Sequence, residues 1–195
     1  MLTFAAAVFF LIITPGPGVL STAGVGAAFG GRAGVRYVAG LFIGTNIVAL
    51  AVISGVAAVV LADPRIRTVL FVLSTGYLLY LAFRIATAGS RIAFIEARRK
   101  PGIRDGLALQ AVNPKAYAVN TVMFSGFAIG LGPVADPMVK LLIMNAIWLP
   151  LHFAWLGAGV WLRRLDLAPS TQRAINIAMA ASMVIVVTLA LWSLR

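Results

Sequence analysis

Cysteine is absent, histidine occurs once, and only five acids are spread over 195 residues. The missing thiols exclude a thiol redox carrier and a thiolate metal site. The shortage of carboxylates argues against a dedicated divalent-metal pathway, because hard cations need oxygen ligands. No Walker loop, zincin helix or nucleophile elbow occurs, so neither hydrolase nor ATPase chemistry is indicated and no cofactor is expected. The N-terminal region lacks the positive segment and the small-residue cleavage site of a secretory signal. Its first apolar stretch is therefore expected to be retained in the membrane.

What is present is apolar. Hydrophobic residues make up 62% of the chain and charged residues 11%, with a mean hydropathy of +1.01. A soluble domain of this length cannot hide so much apolar surface, so the solvent is expected to be lipid. All five acids (Asp63, Glu96, Asp105, Asp136 and Asp166) fall between apolar stretches, as do nearly all the bases. Membrane topology accounts for the net charge of +11 without a nucleic-acid partner.

Six apolar stretches of spanning length run over 2–24, 36–62, 66–88, 106–132, 137–162 and 173–194. Each needs about 20 residues to cross roughly 30 Å of hydrocarbon. The predicted fold is thus an all-α membrane protein, a single transmembrane domain over 1–195. A basic, solvated loop (89–105) separates a half at 1–88 from a half at 106–195. Tyr77, Tyr80 and Arg84 read as interface anchors at the end of the third span. Eleven bases fall in the first, third and fifth connections, against four in the second, the fourth and the C-terminal end. The positive-inside rule then places both termini on the outer side. Three spans per half make the two halves inverted repeats, an arrangement common among secondary transporters.

Both halves open on a helix interrupted by proline. Thr14-Pro15-Gly16-Pro17 and Asn113-Pro114-Lys115 place Pro15 and Pro114 99 positions apart. A proline within a helix frees a carbonyl, which lipid tolerates only where the backbone is buried in protein or lines a cavity. Broken helices at corresponding positions of two halves point to a transporter's binding site. Asn46 follows Pro15 by 31 residues and Asn145 follows Pro114 by 31, each in the second span of its half.

Lys115 is the one charge well inside a span, about 13–14 Å along the fourth helix. An ion there costs about 2.5–3.5 kcal/mol. With no acid in any span, its partner is a backbone carbonyl, cavity water or a ligand anion; the alternative is snorkelling to the headgroups. Half-helices beginning after Pro17 and Pro114 offer unpaired N–H groups and positive dipole ends, and Gly16 gives a ligand room to approach. The expected substrate-binding set is Lys115, Asn113, Pro114, Pro15, Gly16, Pro17, Asn46 and Asn145, for a carboxylate such as that of an amino acid. Gln110, Asn113, Tyr117 and Asn120 share one helical face, and Asn145, Trp148, His152 and Trp155 another. Either stripe lines a cavity or supplies hydrogen bonds between helices. Lys115 and His152 are the candidates for proton coupling. The spacings Gly26/Gly30, Gly40/Gly44 and Gly126/Gly130 indicate close helix packing.

The combination of Thr14-Pro15-Gly16-Pro17, Gly40-x-x-x-Gly44, Gly76-Tyr77-Leu78-Leu79-Tyr80-Leu81 and Asn113-Pro114-Lys115-Ala116, over nearly the whole chain, resembles the LysE/RhtB family of amino-acid exporters. The resemblance implies efflux of amino acids or related small metabolites from a bacterial cytoplasm, driven by the membrane ion gradient, by a homodimer. Thr45 and Asn46 stand where many relatives carry an acid, and Ser125-Gly126-Phe127 replaces a proline-aromatic patch. The missing acid weighs against a carboxylate proton relay. Two other readings remain open: a non-transporting membrane assembly or sensor protein, and an ion or metal transporter.

Overall fold

The computed structural model describes residues 1–14, 16–55, 63–66, 68, 69, 72, 73, 76, 79, 83, 86, 100–127, 129–165 and 167–192. Among these residues the protein is entirely helical: α1 (Leu2–Ile13), α2 (Pro17–Phe29), α3 (Gly31–Ile53), α4 (Ile103–Val112), α5 (Pro114–Gly126), α6 (Gly132–Arg164) and α7 (Pro169–Trp192). Two of them, α3 and residues 132–162 of α6, are long and apolar enough to cross a membrane; α1 and α2, bent by 54° at their junction, make a third candidate span if taken together. The described positions of the predicted third span, such as Val69, Val72, Leu79 and Phe83, are helical and exposed. Tyr77, Tyr80, Arg84 and the basic run 89–99 lie outside the described residues, as does Pro15.

The predicted first and fourth spans are each two helices, because proline restarts the backbone in both. Pro17 and Pro114 occupy the first turns of α2 and α5, where a missing N–H costs nothing and a fixed φ suits the helix. The turn from α2 to α3 passes through Gly30 at φ 80°, and the turn from α5 to α6 through Gly130 at φ 80°. A side chain at either position meets the left-handed steric penalty. At the start of α4, Asp105 accepts the Gly102 N–H at 2.8 Å, the carboxylate half of a capping box.

Burial is inside-out relative to a water-soluble protein. Phe10, Ile47, Leu50, Leu142 and Trp161 are exposed, while Thr22, Thr45, Gln110, Asn113, Asn120, Lys140 and His152 are buried. An apolar exterior, with polar groups buried among an apolar core, suits a chain solvated by lipid. Lys140 belongs to this interior rather than to a surface connection. Its ammonium pairs with Asp136 at 2.6 Å and donates to the carbonyls of Phe124 and Phe127 at the end of α5, where a cation complements the helix dipole. The other oxygen of Asp136 accepts the N–H groups of Ile129 at 2.9 Å and Gly130 at 3.1 Å, pinning the turn.

The helices interlock crosswise: α2 packs mainly on α6, and α4 on α3. Glycines bring the backbones together. A Cβ on Gly159 falls 1.9 Å from the Ala23 carbonyl oxygen, and one on Gly40 falls 2.0 Å from that of Ile103. The Gly40/Gly44 spacing thus seats α4, with Gly44 against the Gln110 side chain. Gly106, on the facing side, has the Tyr37 carbonyl oxygen 2.3 Å from its Cβ direction. Gly106→Ala is expected to cost about 1–3 kcal/mol through overpacking, read as a lower unfolding temperature in detergent. Gly157→Ala, with nothing within 4 Å of the added carbon, leaves that temperature unchanged or raises it.

Candidate functional site

The two breaks meet. Lys115, half-buried at the second position of α5, donates from its ammonium to the carbonyl oxygen of Thr14, which ends α1. A carbonyl freed by the first break is thereby closed by the cation of the second, and a charge at the end of α1 complements its dipole. The snorkelling alternative does not describe this side chain. Its aliphatic stem runs beside Gly16, where an added Cβ falls 2.7 Å from Lys115 Cδ and displaces the lysine stem.

Asn113 finishes the second break from within. Its Oδ1 accepts the Lys115 N–H at 3.1 Å, as an N-cap does. Its Nδ2 donates to Gln110 Oε1 at 2.9 Å, and its carbonyl accepts the Ala116 N–H at 3.0 Å. The N-terminal end of α5 is therefore largely satisfied by its own segment. The end of α2 differs. Gly16 is its N-cap, extended at φ −161°, and no side chain caps it.

A cavity of about 50 Å³ lies where the breaks meet, with Gly16, Gly18 and Val19 of the first and Gln110, Asn113 and Lys115 of the second on its wall. Thr45, Asn120, Trp148 and His152 contribute from α3, α5 and α6. By volume it has room for about four waters. His152 is held firmly. Its ring stacks on Trp148 at 3.5 Å and 13°, and Nδ1 lies 2.9 Å from the Trp148 carbonyl oxygen. A carbonyl only accepts, so Nδ1 carries the hydrogen and Nε2, directed at Gly18, keeps a lone pair in the neutral ring. Ser21 and Thr22, also buried, donate their hydroxyls to the Gly18 carbonyl.

The polar stripes divide. Gln110, Asn113 and Asn120 reach the cavity, whereas Tyr117 donates to the Ala111 carbonyl at 2.9 Å. Asn46 and Asn145 are brought together with each other: Asn46 Nδ2 donates to Asn145 Oδ1 at 3.2 Å, and Asn145 Nδ2 to Asn46 Oδ1 at 2.8 Å. This amide pair joins α3 to α6 beside the cavity without lining it, although the neighbours Thr45 and Met144 do. Thr45 is a wall residue that sequence reasoning did not place there, since a lone hydroxyl in an apolar helix carries no marker. Among the described residues no cluster of His, Asp or Glu suits a metal ion.

A second recess, about 540 Å³, opens at the starts of α3 and α4. Arg32, Arg36, Lys100 and Arg104 line it.

Residues 9–193, which include both breaks and the whole cavity wall, match the LysE type translocator family. The chain belongs to that family. Among its relatives, a leucine efflux protein of Klebsiella pneumoniae is 29% identical over 131 residues, covering 65% of this chain and 62% of the relative. A cysteine/O-acetylserine efflux protein of Salmonella choleraesuis is 33% identical over 137 residues, 69% of each chain. The matched region is thus less than two thirds of the leucine efflux protein's length. No solved structure matches the chain.

For this LysE type translocator, the amide pair gives a double-mutant cycle. Asn46→Ala takes the partner from the Asn145 amide, and Asn145→Ala leaves Asn46 only its bond to the Phe42 carbonyl at 2.9 Å, while the double variant removes both amides. The expected coupling is about 0.5–1.5 kcal/mol in detergent unfolding, with the double variant less destabilised than the two single effects combined.

Proposed function

We propose that the protein is a secondary exporter of amino acids or closely related metabolites in a bacterial cytoplasmic membrane, working by alternating access and coupled to an ion gradient. The observation that carries this reading is the cavity at the junction of two proline breaks, where Lys115, Gln110, Asn113, Asn120 and His152 meet an otherwise apolar wall. A non-transporting assembly or sensor protein needs no such cavity.

The six-span inverted repeat is supported by recurrence along the chain. Adding 99 to the bounds of α1, α2 and α3 gives 101–112, 116–128 and 130–152, against 103–112, 114–126 and a start at 132 for α4, α5 and α6. Helix ends carry an uncertainty of one or two residues by definition, so these bounds agree, although α6 runs on to Arg164, past the shifted end of α3. The hydrogen-bonded asparagines are also 99 apart. Crosswise packing, with each half's broken element against the other half's second helix, is what a twofold-related pair of halves produces. The outward termini are supported by the basic recess. Four of the eleven bases assigned to the cytoplasmic side gather there beside a single acid, Asp105, forming a predominantly basic mouth.

In this reading the Lys115 ammonium exchanges the Thr14 carbonyl for a substrate carboxylate. The uncapped first turn of α2 supplies N–H donors, with Gly16 and Pro17 setting its position. Asn113 and Pro114 hold Lys115 in place. Asn46 and Asn145 clamp the second helices beside the site. With room for about four waters, the cavity admits an amino acid when the halves rock apart. Lys115 and His152 are the groups available to carry a coupled proton. The homodimer rests on the family resemblance.

The test uses proteoliposomes loaded with L-leucine, L-cysteine or O-acetyl-L-serine under an imposed proton gradient. Wild-type protein is expected to carry at least one of them. Lys115→Met, reconstituted at equal amounts of folded protein, is expected to lose at least tenfold in rate. Wild-type flux through a well-folded Lys115→Met protein removes this residue from the mechanism.

A further inference from the structure

Asn120 is the buried group that the protein's own hydrogen bonds leave unfinished. It is 2% exposed, lies on α5 and lines the cavity. Its Nδ2 donates to the Ala116 carbonyl at 2.7 Å. That contact fixes the amide's orientation, since flipping it sets oxygen against oxygen. Oδ1 is then buried with no hydrogen-bond partner among the described residues. An acceptor in that condition costs about 1–3 kcal/mol, which a packing role alone does not offset.

The cavity wall carries both donors and an acceptor. The Lys115 ammonium and the uncapped first turn of α2 at Gly18 and Val19 can donate, and Asn120 Oδ1 can accept. Lys115 and Asn120 are five residues apart on one helix, about 7.5 Å of rise. A carboxylate and an ammonium separated by roughly 3 Å, each making a hydrogen bond of about 2.8 Å, occupy a span of the same scale.

We propose that Asn120 Oδ1 accepts a hydrogen bond from the substrate's α-ammonium, making this site a reader of α-amino acids at both ends rather than a binder of carboxylates in general. The inference rests on the exporter reading above and deepens it. It assigns discrimination to Asn120 and attraction to Lys115.

The experiment measures counterflow in proteoliposomes for L-leucine, L-cysteine and O-acetyl-L-serine, each beside the α-hydroxy acid of the same side chain. Wild-type protein is expected to favour the amino form at least tenfold. Asn120→Leu, similar in size but without an acceptor, is expected to reduce that preference to threefold or less while still carrying the hydroxy acid. Asn120→Asp retains the preference. If Asn120→Leu does not fold, Asn120→Ala, which also lacks an acceptor, serves in its place. A folded Asn120 variant without an acceptor that keeps the full preference, or that carries neither form, overturns the proposal. So does a wild-type protein without preference. Where Lys115→Met still abolishes flux, the exporter reading survives each of these results; a wild-type protein that carries none of the amino acids ends both.

Discussion

A helix broken inside a membrane leaves carbonyl and N–H groups that lipid cannot satisfy, and the rest of this structure follows from how those groups are closed. Each unsatisfied backbone group costs several kcal/mol in hydrocarbon. The protein has two such breaks and sets them side by side at a cavity where polar side chains can reach them. Lys115, at the start of α5, reaches the Thr14 carbonyl at the end of α1. Crosswise packing of α2 on α6 and of α4 on α3 holds that contact in place, and bare glycine backbones at Gly40, Gly106 and Gly159 allow the helices to come close enough.

The breaks are not equivalent. The second is closed by its own residues, with Asn113 capping α5 and Gln110 orienting Asn113. The first leaves the start of α2 without a side-chain cap and borrows its cation from the other half. Donor capacity for an anion therefore sits mainly at the first break, with Lys115 lent to it from the second. A cation held only by a backbone carbonyl can exchange partners with a carboxylate at modest cost. One neutralised by an acid cannot do so as readily, and the contrast with Lys140, paired to Asp136 at 2.6 Å, shows how the same chain builds a purely structural lysine.

Much of this was legible in the sequence, for physical reasons specific to each residue. Lys115 stands out because a charge in lipid needs a partner; that the partner is Thr14 depends on how two distant helices pack, which spacing along one chain does not contain. Asn46 and Asn145 stand out by their equal offsets from Pro15 and Pro114. That their amides bond to each other depends on how α3 packs on α6. The polar stripe through Gln110, Asn113, Tyr117 and Asn120 was visible, yet a stripe does not reveal that Tyr117 turns to Ala111 or that Asn120 keeps an acceptor unpaired. Lys140 lies within the apolar stretch 137–162, but its partner Asp136 lies just before it, and only the helix start at Gly132 shows that the two share one helix four residues apart.

The absence of cysteine allows the central claim, that a cation at position 115 carries flux, to be tested on a single introduced thiol. Lys115→Cys, reconstituted and assayed for amino-acid counterflow, is modified with an aminoethyl thiosulfonate, which regenerates an ammonium of nearly the original length. Parallel samples receive neutral methyl and anionic sulfonatoethyl reagents, with complete labelling verified by mass. The account predicts that the unmodified variant is inactive and that only the aminoethyl adduct recovers flux. Equal recovery with the neutral adduct, or none with a fully formed ammonium adduct in folded protein, contradicts it.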